Sequence, residues 1–277
     1  MIADLIRYEF LQNAFLVGMM IGVIAPLLGV FIVVRRLSLI ADALSHVTLA
    51  GIAVSLFLSK RIEALHALNP IYIGMGFSVT ASLLIERLRV VYRHYQELAI
   101  PIILSAGIGI GVIFISLANG FTTDVFNYLF GSVSAVSRTD LWLVVAIAVI
   151  VLITVGLFYK ELFLLSFDEE HAKTVGIPAR TIHFIFIVLV ALVIAASMQI
   201  IGILLVSTLM TLPVAAAMKL AKSFKQTIVL AILFAQLSVL GGLSVAYHFD
   251  LAPGGTIVII AILCLLASIL FKKWRLP

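Results

Sequence analysis

The chain has 277 residues, is 64% hydrophobic and only 11% charged, and carries a formal net charge of +5, with a mean hydropathy of +1.27. A soluble globular domain carries roughly 25% charged residues, so the composition excludes an ordinary soluble enzyme and points to a lipid-embedded protein. The basic balance then reports Lys and Arg gathered in loops on one side of a membrane rather than an affinity for nucleic acid.

In chain order, Met1 to Gln12 lacks the basic n-region and small-residue cleavage site of a signal peptide, so the first apolar run is expected to stay as an anchor. A spanning helix needs about 20 mostly apolar residues. Runs of that kind fall near 13–34, 41–59, 70–87, 98–118, 140–159, 181–199, 201–218, 226–246 and 254–271. The stretch 121–137 is apolar but short, which suits a re-entrant or interfacial helix. Almost no linker separates 181–199 from 201–218. Either a tight turn at Gln199 to Gly202 joins two spans, or one helix is broken there. The count expected is eight to ten, with about 8–9 as the fold-class expectation: an all-α, polytopic membrane helical bundle forming one integral-membrane domain over 1–277.

Loop charges orient this bundle. Arg35 and Arg36 share a side with Arg87, Arg89 and Arg93, with Lys160, Lys173 and Arg180, with Lys219, Lys222 and Lys225, and with Lys272, Lys273 and Arg275. The opposite loops hold Lys60, Arg61 and Glu63, then Asn119 to Asp124, then His248 to Gly255. The positive-inside rule makes the first set cytoplasmic and puts the C-terminus inside a multi-pass cell-membrane protein. The glycine pairs Gly18/Gly22 and Gly107/Gly111 have the spacing that lets membrane helices approach closely. The lone Cys264 forms no intrachain disulfide, and no GxxxxGK[ST] phosphate loop is present.

Two stretches carry chemistry. The first runs Arg35-Arg36-Leu37-Ser38-Leu39-Ile40-Ala41-Asp42-Ala43-Leu44-Ser45-His46. Asp42 and His46 are four apart and share one helical face, with Ser45 beside them. Ionisable groups in a spanning helix are costly and tend to mark a pathway. Carboxylate with imidazole suits Zn²⁺, Mn²⁺ or Fe²⁺ alike. The alternative is structural, with Asp42 capping its helix and His46 bonding between helices. The second stretch, Ser166 to Pro178, reads as a self-contained helix: Asp168 caps it, Glu169 and Glu170 complement its dipole, and Gly176 and Pro178 stop it. A rigid capped helix near 168–176 in a basic loop suits docking into a partner, and Ala172 leaves room for close approach; the alternative is a plain surface connector.

Glu170-His171-Ala172 followed by Gly176 resembles the E-x-A-x-x-x-G coupling-helix signature of ABC-importer permeases. The Arg35–His46 stretch resembles the hallmark of the zinc/manganese/iron ABC transporter permease family, ABC-3 type. Gly202 to Ala215 and Tyr128-Leu129-Phe130-Gly131-Ser132 are similar to later parts of that family, so the likeness covers nearly the whole chain. The resemblance implies a homodimeric permease with a type II importer-like fold. It implies a separate cytoplasmic ATPase that uses ATP, an external metal-binding protein that delivers the ion, and a metal role for Asp42 and His46. It also makes Glu170, Ala172 and Gly176 the coupling residues. Zinc-type members are the nearest likeness, with manganese and iron importers as alternatives. The chain itself is then not an enzyme.

Ser45, Gln199, Pro213, His248 and Asp250 are further pathway candidates: the middle two sit where a broken helix would line a path, and the last two flank an external loop. His66 and His94 read as solvated loop residues, His171 as a partner contact and His183 as interfacial. Glu9, Glu86 and Glu97 read as boundary or loop charges, which leaves Asp42 as the acidic residue placed well inside a span. Two competing classes fit worse. A metalloprotease would show H-E-x-x-H, which is absent. A proton-coupled carrier would need carboxylates along several spans and no docking helix.

Overall fold

The computed structural model describes residues 7–62, 68–118, 120, 123–134 and 136–275. The expectations for His66 and Glu63 lie outside the described residues. Within the described residues the chain is all helix: α1 (Glu9–Val34), α2 (Leu39–Ser59), α3 (Pro70–Val91), α4 (Ala99–Leu117), α5 (Thr123–Phe130), α6 (Arg138–Leu157), α7 (Tyr159–Phe167), α8 (Glu169–Thr174), α9 (Ala179–Ile201), α10 (Ile203–Leu220), α11 (Phe224–Phe249) and α12 (Pro253–Arg275).

Local chemistry sets the boundaries. α1 ends at Arg35, and Arg36 adopts φ 58°, which reverses the chain toward α2. Asn69 caps α3 by accepting from the Ile71 N–H at 3.1 Å, with Pro70 at the first helical position where its missing N–H costs nothing. Ser137 and Asp140 form a reciprocal capping box at the start of α6. Ser223 caps α11.

Among the described residues, eight helices are long and apolar enough to cross a membrane: α1, α2, α3, α4 with its preceding turn, α6, α9, α11 and α12. The most apolar windows of α1, α2 and α9 are 72% buried, whereas those of the other five are 28–39% buried. The first three therefore form the centre. The rest turn side chains such as Val112, Ile153, Leu237 and Leu263 outward, where lipid would cover them. Small residues set the close crossings. Gly107 and Gly111 of α4 lie against Val47 and Ala50 of α2, and Gly18 and Gly22 of α1 lie against α11 at Val239, Leu243 and Gln236.

The 201–218 run behaves differently from the other expected spans. Its helix, α10, starts one residue after α9, and its apolar part, Leu205–Leu220, is shorter than the eight spanning helices. Phe186 of α9 packs on Phe31 of α1, while Val214 and Ala217 of α10 cluster with the adjacent Val30. Both helices thus leave the same level of α1 and meet at Gly202, so they form a V with its apex at the opposite end. At 1.5 Å per residue α10 is about 27 Å long, close to the ~30 Å hydrocarbon thickness. The turn at Gly202 therefore joins two separate helices that fold back on each other, rather than interrupting one continuous helix. The 121–137 stretch holds the eight-residue α5, too short to cross.

The apex is a crossing of backbones. Gly202 has φ 81° and ψ 151°, a region open essentially to glycine. Gly131, after α5, would drive a Cβ into the Ile200 carbonyl, and Gly254, opening α12, would drive one into the Ile201 carbonyl. The Ser132 N–H donates to the Gln199 carbonyl at 2.9 Å. Three chain segments meet here largely backbone to backbone, with the Leu205 side chain beside Gly254. The opposite, basic end carries Arg35, Arg36, Arg89, Lys219 and Lys222.

Candidate functional site: a metal path and a docking helix

α2 begins at the basic end, so Asp42 and His46 lie about 5 and 10 Å along its axis from Leu39. Both are half-buried. Asp42 does not cap: the N-cap position is Ser38, whose side chain makes no capping bond. Among the described residues neither Asp42 nor His46 is engaged in a hydrogen bond or ion pair. Ser45 is fully buried and donates to the Ala41 carbonyl at 2.8 Å, and Thr48 donates to Leu44 at 2.7 Å. Ser45 therefore bonds its own helix rather than orienting either neighbour. No group of three or more His, Cys, Asp or Glu gathers anywhere among the described residues. One chain therefore offers this face two donors, an incomplete shell for a tightly held ion.

A second carboxylate–imidazole pair contrasts with it. Glu86 of α3 and His183 of α9 meet with Oε1 and Nε2 2.8 Å apart. Arg89 Nη1 donates to the same Glu86 oxygen at 3.2 Å, and its Nη2 donates to Gln96 at 3.3 Å. His183 is buried in the protein near the start of α9, and Glu86 is half-buried inside α3, five residues before its end. Asp42 is therefore not alone among acidic residues within a spanning helix. The guanidinium occupies the place a cation would take beside Glu86 and His183 Nε2, while the buried His183 Nδ1 has no hydrogen-bond partner among the described residues. Nothing in the sequence links residues 97 positions apart; only the three-residue spacing of Glu86 and Arg89 is visible there.

The other candidates are dispersed. Gln199 is half-buried beside the apex, where its carbonyl serves Ser132. Pro213 is buried within α10 and deprives the Leu209 carbonyl of its helical donor. Three residues earlier, the Met210 carbonyl lies where a side chain on Gly29 of α1 would sit, so these two helices touch through backbone. His248 and Asp250 are exposed at the α11–α12 turn, with Asp250 left-handed at φ 51°. They sit at the apex end, away from Asp42 and His46.

At the basic end, α8 is a six-residue helix, with Asp168 Oδ1 accepting from the His171 N–H at 2.8 Å. It stops at Gly176, φ 86°, with the Ile177 N–H returning to the Ala172 carbonyl at 3.1 Å. Glu170, His171 and Gly176 are exposed, and Ala172 is wholly buried against the bundle. Arg35 is half-buried beside it. Burial lowers its pKa from the ordinary arginine value, and the neighbouring Glu169 carboxylate opposes that shift.

Comparison with known proteins agrees with this architecture. The profile of the ABC 3 transport family matches residues 7–272. The manganese transport system membrane protein MntC of Listeria monocytogenes is 35% identical over 96% of this chain and 92% of its own length. The high-affinity zinc uptake system membrane protein ZnuB of Haemophilus influenzae is 31% identical over 97% of this chain and 100% of its own. The solved structure of PsaBC from Streptococcus pneumoniae in complex with Fab superposes with a TM-score of 0.83 at 33% identity, covering 97% of this chain and 95% of that one. The chain belongs to the ABC 3 transport family: it is the membrane permease subunit of an ABC metal importer, working with a separate ATPase and a separate substrate-binding protein, and is not itself an enzyme.

Proposed function

We propose that this chain carries a divalent transition-metal ion, Zn²⁺ or Mn²⁺, inward past Asp42 and His46. The observation that carries this reading is the half-buried carboxylate and imidazole, one turn apart, left unengaged among the described residues while a second such pair, Glu86 and His183, is bridged by Arg89. Polar side chains within a membrane helix are normally satisfied by protein or mark a pathway. Two donors per chain fit a homodimer in which each protomer supplies one carboxylate and one imidazole, so that two carboxylates balance one divalent ion. The ligand set does not favour zinc over manganese, and relatives named for each metal match at 31% and 35%. The zinc-first expectation from the N-terminal half therefore gives way to an even pair.

The basic end is cytoplasmic. An odd number of traverses, eight long helices and α10, then puts the C-terminus inside and the start of α1 outside. α8 docks into the ATPase through Glu170 and Gly176, with Ala172 as its anchor to the bundle. Gln199, His248 and Asp250 lie toward the outer end of the path, and Pro213 lies on the inner half of α10, next to Val214 and its neighbour Val30.

The test is uptake of radioactive Zn²⁺ and Mn²⁺ into vesicles holding the complete complex. Asp42→Asn and His46→Ala are each expected to abolish uptake while the ATPase subunit still co-purifies. Uptake surviving in both variants makes the pair structural. Uptake of one metal alone in the wild type decides the substrate.

A further inference from the structure

A cluster of aromatic rings surrounds the basic end of α1, with the Arg35 side chain beside it. Phe31 of α1 lies 5.3 Å from Phe224 of α11, 6.0 Å from Phe186 of α9 and 6.4 Å from Tyr159 of α7, ring centroid to centroid. Phe224 in turn meets Phe163 at 5.0 Å and Phe167 at 5.8 Å, both on α7. One ring at the start of α11 therefore joins α7 to α1. Phe167 is the last residue of α7, and a single residue, Asp168, separates it from α8.

α8 is too short to hold a position by its own helical stability. Its place is set by α7 and by what meets it from the bundle. Ala172 is buried against the bundle, and Arg35 stands beside the same junction: its guanidinium lies 5.9 Å from the Phe186 ring centroid, and the Glu169 carboxylate at the start of α8 is among the charges that act on it, with Glu86 and Arg89 on α3. Phe31 and Phe186 are almost fully buried, whereas Phe167 is 61% exposed, so the cluster runs from the docking surface into the core. Packed interiors are poorly compressible and pass displacement on.

We propose that Arg35 and Phe224 are coupling residues, which carry a displacement of α8 into the inner ends of α1, α9 and α11 while touching neither nucleotide nor metal. This rests on the reading of α8 as the ATPase-docking helix. α1 leads directly into α2, so the same displacement reaches Asp42 and His46 through the Arg35–Ser38 turn.

The experiment uses the permease co-expressed with its ATPase subunit, reconstituted with the binding protein. It follows ATPase co-purification, ATP hydrolysis with and without loaded binding protein, and uptake of Zn²⁺ and Mn²⁺. Phe224→Leu keeps an apolar filler without a ring, Arg35→Gln removes the charge, and Arg35→Lys restores it. Both Phe224→Leu and Arg35→Gln are expected to retain the ATPase subunit and basal hydrolysis, to lose stimulation by loaded binding protein, and to lower uptake at least tenfold. Arg35→Lys is expected to recover most of it. Uptake and stimulation within twofold of wild type in both variants overturn the proposal. Loss of the ATPase subunit from Arg35→Gln also overturns it, because the residue then only shapes the docking surface. Should Phe224→Leu fail to fold, the Arg35 pair decides alone. Absence of uptake in the wild-type complex defeats the transport reading itself, and this inference with it.

Discussion

Replacing Gly202 by alanine tests whether the apex between α9 and α10 is held as described. Two costs add. A non-glycine residue at φ 81°, ψ 151° is strained by about 1–3 kcal/mol. The new Cβ would also sit 2.5 Å from the Leu129 carbonyl oxygen and 2.6 Å from the Gly131 nitrogen. These are backbone atoms that cannot swing aside, and overpacking of this kind costs about 1–3 kcal/mol. The sum, about 2–6 kcal/mol, is a large share of a typical total stability of roughly 5–15 kcal/mol. At about 2–4 °C per kcal/mol for a chain of this size, the melting temperature in detergent should fall by about 4–24 °C. Gly109 is the control: it lies in α4 with open space around it, so Gly109→Ala should leave the melting temperature unchanged or raise it slightly through helix propensity. A Gly202→Ala protein melting within 2 °C of wild type, a shift of roughly 1 kcal/mol or less, would refute the left-handed, backbone-clamped apex and with it the V arrangement of α9 and α10.

Two further substitutions probe the basic end. Glu86→Gln removes the anion between Arg89 and His183. It should destabilise by about 2–3 kcal/mol, since hydrogen bonds to charged groups are worth about that much and a guanidinium is left without its partner. The double variant Glu86→Gln/Arg89→Gln should regain at least half of the loss in a thermal melt, and a double variant as unstable as the sum of two singles would dismiss the network. Ala172 is wholly buried, so Ala172→Leu should push α8 off the bundle at a cost of about 1–3 kcal/mol. Its readout is the amount of ATPase subunit that co-purifies, expected to drop well below wild type. Full retention would show that the ATPase does not read the position of α8.

Much of the molecule was legible in the sequence because lipid allows few solutions: long apolar runs must be helices, and each helix closes its own backbone hydrogen bonds. The spans from α1 to α4, α6, α9, α11 and α12 follow from that alone. So does the small capped helix α8, whose Asp168, Gly176 and Pro178 act within a few residues of one another. Asp42 and His46 were also visible, since a four-residue spacing on a helix is a local fact.

Only the tertiary structure decided what depends on distant partners. That Asp42 and His46 stay unengaged while Glu86 and His183 are closed by Arg89 is a matter of which helices become neighbours, and α3 meets α9 across about a hundred residues of chain. The direction of α10 was equally open: Gly202 permits either a continued or a reversed helix, and the reversal is set by Gly131 and Gly254 arriving from α5 and α12 to occupy the space beside it. Ring contacts such as Phe31 with Phe224 belong to the same class, for aromatic residues in an apolar run carry no mark of the face they will share. Local hydrogen bonding and hydrophobicity specified the helices; the packing of side chains and glycine-lined backbones from remote segments specified how they meet.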